Sequence, residues 1–201
     1  MNQKSVVIGT FALRFLLIAS LSISSSVTRG QTTQRIGPEL STADKQAVAE
    51  FESRVKDYVK LRNAVKEKLP KLSKDSTAEQ LEAYRKSFEE AVRAARTGAK
   101  RGDVFNTAGS TYIRHTLKTE FDRQDRAELR KIVLGAENKE VPLRVNYPYP
   151  ESKELTEMPP TLLLRLPQLP KEVKYRFVGR NMLLVDRDNN LIIDYMVDTL
   201  P

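Results

Sequence analysis

The chain has 201 residues and a formal net charge of +8, from 34 Lys and Arg against 26 Asp and Glu. It contains one histidine, no cysteine and no tryptophan. Thiol catalysis, iron–sulfur ligation, Cys-type zinc sites and disulfides are therefore excluded, most His-based metal and triad chemistry goes with them, and no indole is present to stack on sugars.

The first thirty residues carry Lys4, Arg14 and Arg29 and no acid, with an apolar run from Phe15 to Ile23 followed by Ser24-Ser25-Ser26-Val27-Thr28-Arg29-Gly30. A basic start, a short apolar stretch and small residues before a cleavage point form the pattern of a secretory signal peptide. Cleavage is expected near Gly30/Gln31, which would make the product periplasmic or secreted. The competing reading is an uncleaved anchor over residues 6–23. Arg14 speaks against it, because a charge near a bilayer centre costs about 2.5–3.5 kcal/mol on the insertion scale. No later apolar run reaches the roughly 18 residues that spanning requires.

Residues 31–40 include Gly37 and Pro38 and read as a flexible N-terminus. Ser41-Thr42-Ala43-Asp44 has the form of a helix start. Ala47, Val48, Phe51, Val55, Tyr58, Arg62, Val65 and Leu69 then recur at steps of three and four. Apart from Arg62 they make one apolar stripe, which Pro70 ends. Ser76-Thr77-Ala78-Glu79 reads as a second capping box, ahead of a stripe formed by Leu81, Tyr84, Phe88, Ala91, Val92 and Ala95. The short link from Pro70 to Asp75 makes the two helices an antiparallel hairpin. The basic excess lies in this half, between Arg54 and Lys74. Asp57, Glu67 and Asp75 interleave with it, as on an ordinary solvated helix, although such a face can also bring a chain to an anionic membrane surface.

Asp103 is a candidate cap for a third helix containing Phe105, Tyr112, Ile113, Leu117 and Phe121, with Asn106 to Thr111 allowing a later start. A fourth helix is expected from Arg126 to Leu134, ending at Gly135. Beyond Asn138 the texture changes. Val141 to Val145 is a candidate edge strand, Tyr147-Pro148-Tyr149-Pro150 an extended turn, and Thr161 to Leu166 a short helix after Pro159-Pro160. Three strands finish the chain, Lys174–Val178, Met182–Asp186 and Leu191–Val197, with turns at Gly179–Asn181 and Arg187–Asn190. The strands are apolar on both faces and need cover on both. Leu162 to Leu166 is expected on one side and the long helices on the other.

The fold class expected is α+β: an N-terminal antiparallel helical hairpin with further helices over 41–138, followed by a small three- to four-stranded antiparallel module over 139–201. Sites for chemistry are sparse. Asp186-Arg187-Asp188-Asn189-Asn190 spaces oxygen ligands as a calcium loop does, but Leu191 and Val197 stand where the EF-hand needs glycine and glutamate. A polar turn in which Asn189 and Asn190 accept positive φ accounts for it better. His115 has no second histidine, Gly109-Ser110-Thr111 lacks the frame of a nucleophile elbow, and Gly98, Gly102 and Gly109 are too far apart to cradle phosphate. No pair of carboxylates stands out for glycoside hydrolysis, which leaves an envelope-polymer hydrolase as the weakest reading. No catalytic, cofactor-binding or metal-ligating residue is nominated, and no cofactor is expected.

Pro159-Pro160, Leu162-Leu163, Leu166-Pro167 and Leu169-Pro170 form a P-P-x-L-L-x-x-L-P-x-L-P run. Tyr175-Arg176, Val178-Gly179, Leu183 to Asp186 and Ile192-Ile193-Asp194 follow it. Over residues 155–197 this resembles the C-terminal module of the RcnB-type family of exported bacterial proteins. The resemblance implies a small exported α/β module and, for named members, a part in periplasmic nickel and cobalt homeostasis. The N-terminal helical half lies outside it, and this chain lacks the histidine-rich or thiol ligands such metals favour. The function expected is a non-catalytic binding or assembly component of the cell envelope, meeting an envelope protein through its helical region and not nucleic acid. The alternative is metal homeostasis by resemblance.

Overall fold

A computed structural model describes residues 40–123, 141–150, 152–153 and 155–200. The leader, residues 31–39 of the flexible start and the helix expected over Arg126–Leu134 lie outside the described residues, while Leu40 packs partly buried against the core. The architecture is α+β. Three helices, α1 (Thr42–Lys68), α2 (Ala78–Ala95) and α3 (Thr107–Arg123), precede a four-stranded sheet. The sheet comprises β1 (Thr156–Glu157), β2 (Val173–Val178), β3 (Asn181–Asp186) and β4 (Ile192–Met196), and the single turn α4 (Pro160–Leu163) lies between β1 and β2. The strands pair antiparallel in the order β1-β2-β3-β4. No helix among the described residues is long and apolar enough to cross a membrane.

Helix α1 starts where Ser41 accepts the Asp44 N–H, and it buries Ala47, Val48, Phe51, Val55, Tyr58, Arg62 and Val65. These are the expected stripe positions, Arg62 included. The second box sits one residue later than expected. Thr77 caps α2, and Gln80 answers it through the Thr77 N–H. Of the second stripe Phe88 and Val92 are buried, whereas Leu81 and Ala95 are exposed. Arg62 lies over the Phe88 ring and Arg96 over the Tyr58 ring, so α2 ascends as α1 descends, as an antiparallel pair must. Asn106, not Asp103, starts α3, because its Oδ1 accepts the Gly109 N–H. Asp103 instead accepts the Lys100 N–H.

The helices cover one face of the sheet. Phe51 stacks on Phe105 at 5.4 Å and on Tyr175 at 6.4 Å. Tyr175, Phe177, Met182, Leu184, Ile193 and Met196 meet the buried residues of α1, α2 and α3 in one apolar core. Leu162 and Leu166 belong to this same core, not to the opposite side as expected. The other face, with Val178, Leu183, Val185 and Ile192, is covered by Tyr149 and by Val141, Leu143, Leu155 and Tyr195. The strand expected at Val141–Val145 does not form. Pro142 lacks a donor, and the β4 edge is taken instead by the residues that follow: Asn146 donates to Ile192 O, Ile192 to Tyr147 O and Tyr149 to Asn190 O. The two-residue β1 had no sequence pattern of its own.

Candidate functional site

Residues 58, 62 and 66 are four apart, so α1 presents their side chains on one face. That face meets the end of β3. Tyr58 Oη donates to Asp186 Oδ2 at 3.0 Å, and Arg62 Nε donates to the same oxygen at 2.5 Å. The Arg62 fork reaches on to Asp188 Oδ2, which also accepts from Lys66 Nζ at 3.0 Å. Asp186 is 0% exposed and Arg62 3%, so this ion pair is withdrawn from water. Burial lowers the affinity of the Arg62 guanidinium for its proton, but the hydrogen bond and charge of Asp186, with Asp188, more than offset that and leave its pKa raised. Tyr58 is held protonated: burial first, then the charge and hydrogen bond of Asp186, push its hydroxyl well above the usual tyrosine range. At neutral pH it is a donor and not a base.

A second set lies at β4. The register with β3 slips by one residue between Leu184 and Val185, which makes Ile193 a bulge residue. Its carbonyl accepts from both terminal nitrogens of Arg96, each at 3.2 Å. Arg96 also donates to Asn146 Oδ1 at 2.5 Å, and the Asn146 amide returns a bond to Arg96 O. Next to the bulge, Asp194 is fully buried and accepts the backbone N–H groups of Gly102, Val104 and Phe105 at 2.9, 2.8 and 2.8 Å. From the sequence alone, Asp194 or Asp198 could pair at the rim with Arg176, Arg180 or Arg187. In the structure the Asp194 carboxylate is what folds the α2–α3 connection onto the sheet. Of the rim arginines, Arg176 pairs with Glu157 at 2.9 Å and Arg180 approaches Asp198 at 3.8 Å, while Arg187 donates to Lys171 O.

Between these sets opens a cleft of about 440 Å³, bounded by Arg54, Asp57, Tyr58, Arg96, Gly98 and Val104 among others. Its arginines are tethered. Arg54 donates to Asp103 O at 2.8 Å and to Glu50 at 2.7 Å. A smaller hollow of about 320 Å³ is lined by Lys66, Leu72, Leu81, Tyr84, Arg85 and Asp188, with Leu72 42% and Leu81 41% exposed. Asp186 and Asp188, the oxygens of a would-be calcium loop, are engaged by Arg62, Lys66 and Tyr58, and of the two turn asparagines Asn190 takes a positive φ, 51°, whereas Asn189 does not. His115 is exposed on α3. Among the described residues no three His, Cys, Asp or Glu converge as metal ligands.

What fold and site define is an α+β scaffold whose helical layer is fastened to its sheet by two buried aspartates. Comparison of the chain with protein-family models, with curated proteins and with solved structures finds no match.

Proposed function

We propose that the protein is an exported, non-catalytic component of the cell envelope that binds or assembles with another envelope protein through its helical region. The carrying observation is the use of the polar groups. Asp186, Asp188, Arg62, Arg96 and Asp194 are bound to one another and to backbone, and Tyr58 is kept neutral, so these groups hold the fold together and none is poised to react. The leader supports export. The hollow rimmed by Leu72, Leu81 and Tyr84 supports docking of a partner's apolar side chain.

Two measurements test this. N-terminal sequencing of the product from fractionated bacterial cells should give Gln31 outside the cytoplasm. A photo-crosslinker at Leu81 should yield one discrete adduct that the same group at Lys60 does not. Full-length polypeptide in the cytosol, or no adduct at either position, would overturn the reading.

The resemblance to the RcnB-type family supports a second reading, nickel and cobalt homeostasis; its matching positions lie on α4 and the segments flanking it, the β2–β3 hairpin and β4. The residues do not fit those ions. The lone histidine stands exposed on α3 and the turn carboxylates are held by cations. Calorimetric titration with nickel and cobalt should give no heat, and saturable binding would favour this second reading over the first.

A further inference from the structure

Tyr147 lies along the β4 edge, where its carbonyl accepts the Ile192 N–H at 2.9 Å, and its neighbour Asn146 is clasped by Arg96. Two guanidiniums stack on its ring. The central carbon of Arg93, on α2, is 4.3 Å from the ring centroid, and that of Arg144 is 4.0 Å from it. The two cations are therefore no further apart than those two distances together. At that range like charges repel. Among the described residues neither arginine has a carboxylate within ion-pair distance. Glu89, one turn before Arg93, exerts its charge on Arg93 without a hydrogen bond to it. Arg93 Nε is buried with no acceptor, although buried donors normally have one. Arg96, one turn further along, adds a third positive charge on the same side.

We infer that Arg93, Tyr147 and Arg144 form an oxyanion site for a phosphate group. Cation–π contact holds both guanidiniums beside one ring, and a guanidinium so held can still fork its N–H groups onto tetrahedral oxygens. A dianionic oxyanion relieves the repulsion between the two arginines. The chemistry is common to free phosphate and to a phospholipid headgroup. The site is independent of export and of protein docking.

The test uses the full chain with inorganic phosphate as probe. Expected is saturable binding that shifts the Nε–H resonances of Arg93 and Arg144, with affinity reduced at least tenfold in Arg144→Gln and in Tyr147→Leu. Tyr147→Leu retains every charge, so it separates a built site from net charge, while Tyr147→Phe keeps the ring face and should bind within twofold of the parent. Lys86→Gln, an exposed charge elsewhere on α2, should also change binding less than twofold. Vesicles of phosphatidylglycerol, compared with phosphatidylcholine, separate the sources: binding that phosphate competes away assigns a lipid headgroup, and binding of the free ion alone assigns a small anion. No saturable phosphate signal, or an equal loss in Lys86→Gln and Arg144→Gln, would overturn the site. Circular dichroism establishes that each variant is folded, and the contrast of Arg144→Gln with Lys86→Gln carries the test if Tyr147→Leu is not.

Discussion

Replacing Arg62 by methionine keeps most of its volume and removes its charge. Asp186, 0% exposed, would then keep only the Tyr58 hydroxyl and the Asp188 N–H, which it accepts at 3.0 Å. Breaking a buried ion pair from one side typically costs about 3–5 kcal/mol, because the remaining charge stays out of water. For a domain of this size that corresponds to a fall of roughly 6–20 °C in Tm. Asp186→Asn should cost less, about 1.5–3 kcal/mol, the worth of a hydrogen bond to a charged group. There the Arg62 fork still reaches Asp188. The triple variant Arg62→Met, Asp186→Leu, Tyr58→Phe removes every member of the buried set together. Apolar replacements of buried ion pairs are commonly neutral or stabilising by about 1–4 kcal/mol, so it should regain most of the loss. Urea unfolding with unchanged m measures all of these. An Arg62→Met cost below about 1 kcal/mol, or a triple variant as unstable as its parts added, would refute the assignment of Arg62 as the partner that makes Asp186 tolerable.

Asp194→Ala strips four amides, those of Gly102, Val104, Phe105 and Tyr195, of their side-chain acceptor, at about 1–3 kcal/mol each where they are buried. Hydrogen exchange at residues 102–105 should accelerate well before global unfolding, and Asp194→Asn should rescue part of that protection. Gly109→Val should destabilise by about 2 kcal/mol or more, as read by urea unfolding. A Cβ there would stand 2.9 Å from Asn106 Oδ1 and 3.4 Å from Phe51 Cβ, displacing the α3 cap. Tyr58 and Tyr175 have raised pKa values, chiefly from burial. Their contribution is fully present below the ordinary tyrosine pKa near 10 and is lost as pH rises through the raised values. In a tyrosinate absorbance titration both should ionise last, together with unfolding. Asp188 behaves oppositely. Burial raises its pKa, but Lys66 and Arg62 lower it further, to a net value below 3.8. Its stabilisation holds above that pH and is lost as pH falls through the lowered value, with an amplitude under about 1 kcal/mol because the carboxylate is half exposed. Lys66→Gln should shrink that acid limb of the stability profile.

The helical stripe was legible because helix burial repeats locally. Every buried residue of α1 falls at the expected spacing, and Arg62 marked itself as the one charge in an apolar series. The cap of α2 was off by one because Ser76-Thr77 and Glu79-Gln80 offer two registers of the same box, and the sequence holds nothing that chooses between them. Asp186 and Asp194 stood at strand positions flanked by Val185 and by Ile192-Ile193, a sign of buried carboxylates that calls for partners. Their partners lie about ninety to one hundred and thirty residues earlier, on α1 and on the α2–α3 connection. Pairings at that separation leave no trace in local periodicity. The same holds for the edge at β4, where Asn146 at φ 64° sets a register that alternation cannot reveal.

The bulge at Ile193 ties these features together. In a regular ladder Ile192 and Asp194 would share a face and Ile193 would take the other. The extra residue instead turns Ile192 toward Tyr149, on the side away from the helices, while Ile193 and Asp194 both serve the helical side. The same irregularity frees the Ile193 carbonyl from the ladder, and Arg96 supplies the donors it would otherwise lack. Arg96 in turn holds Asn146, and through it the Tyr147 segment that carries the stacked arginines. One inserted residue in β4 thus lets Ile193 and Asp194 both serve the helical side, anchors the end of α2, and holds the Tyr147 ring beside Arg93 and Arg144.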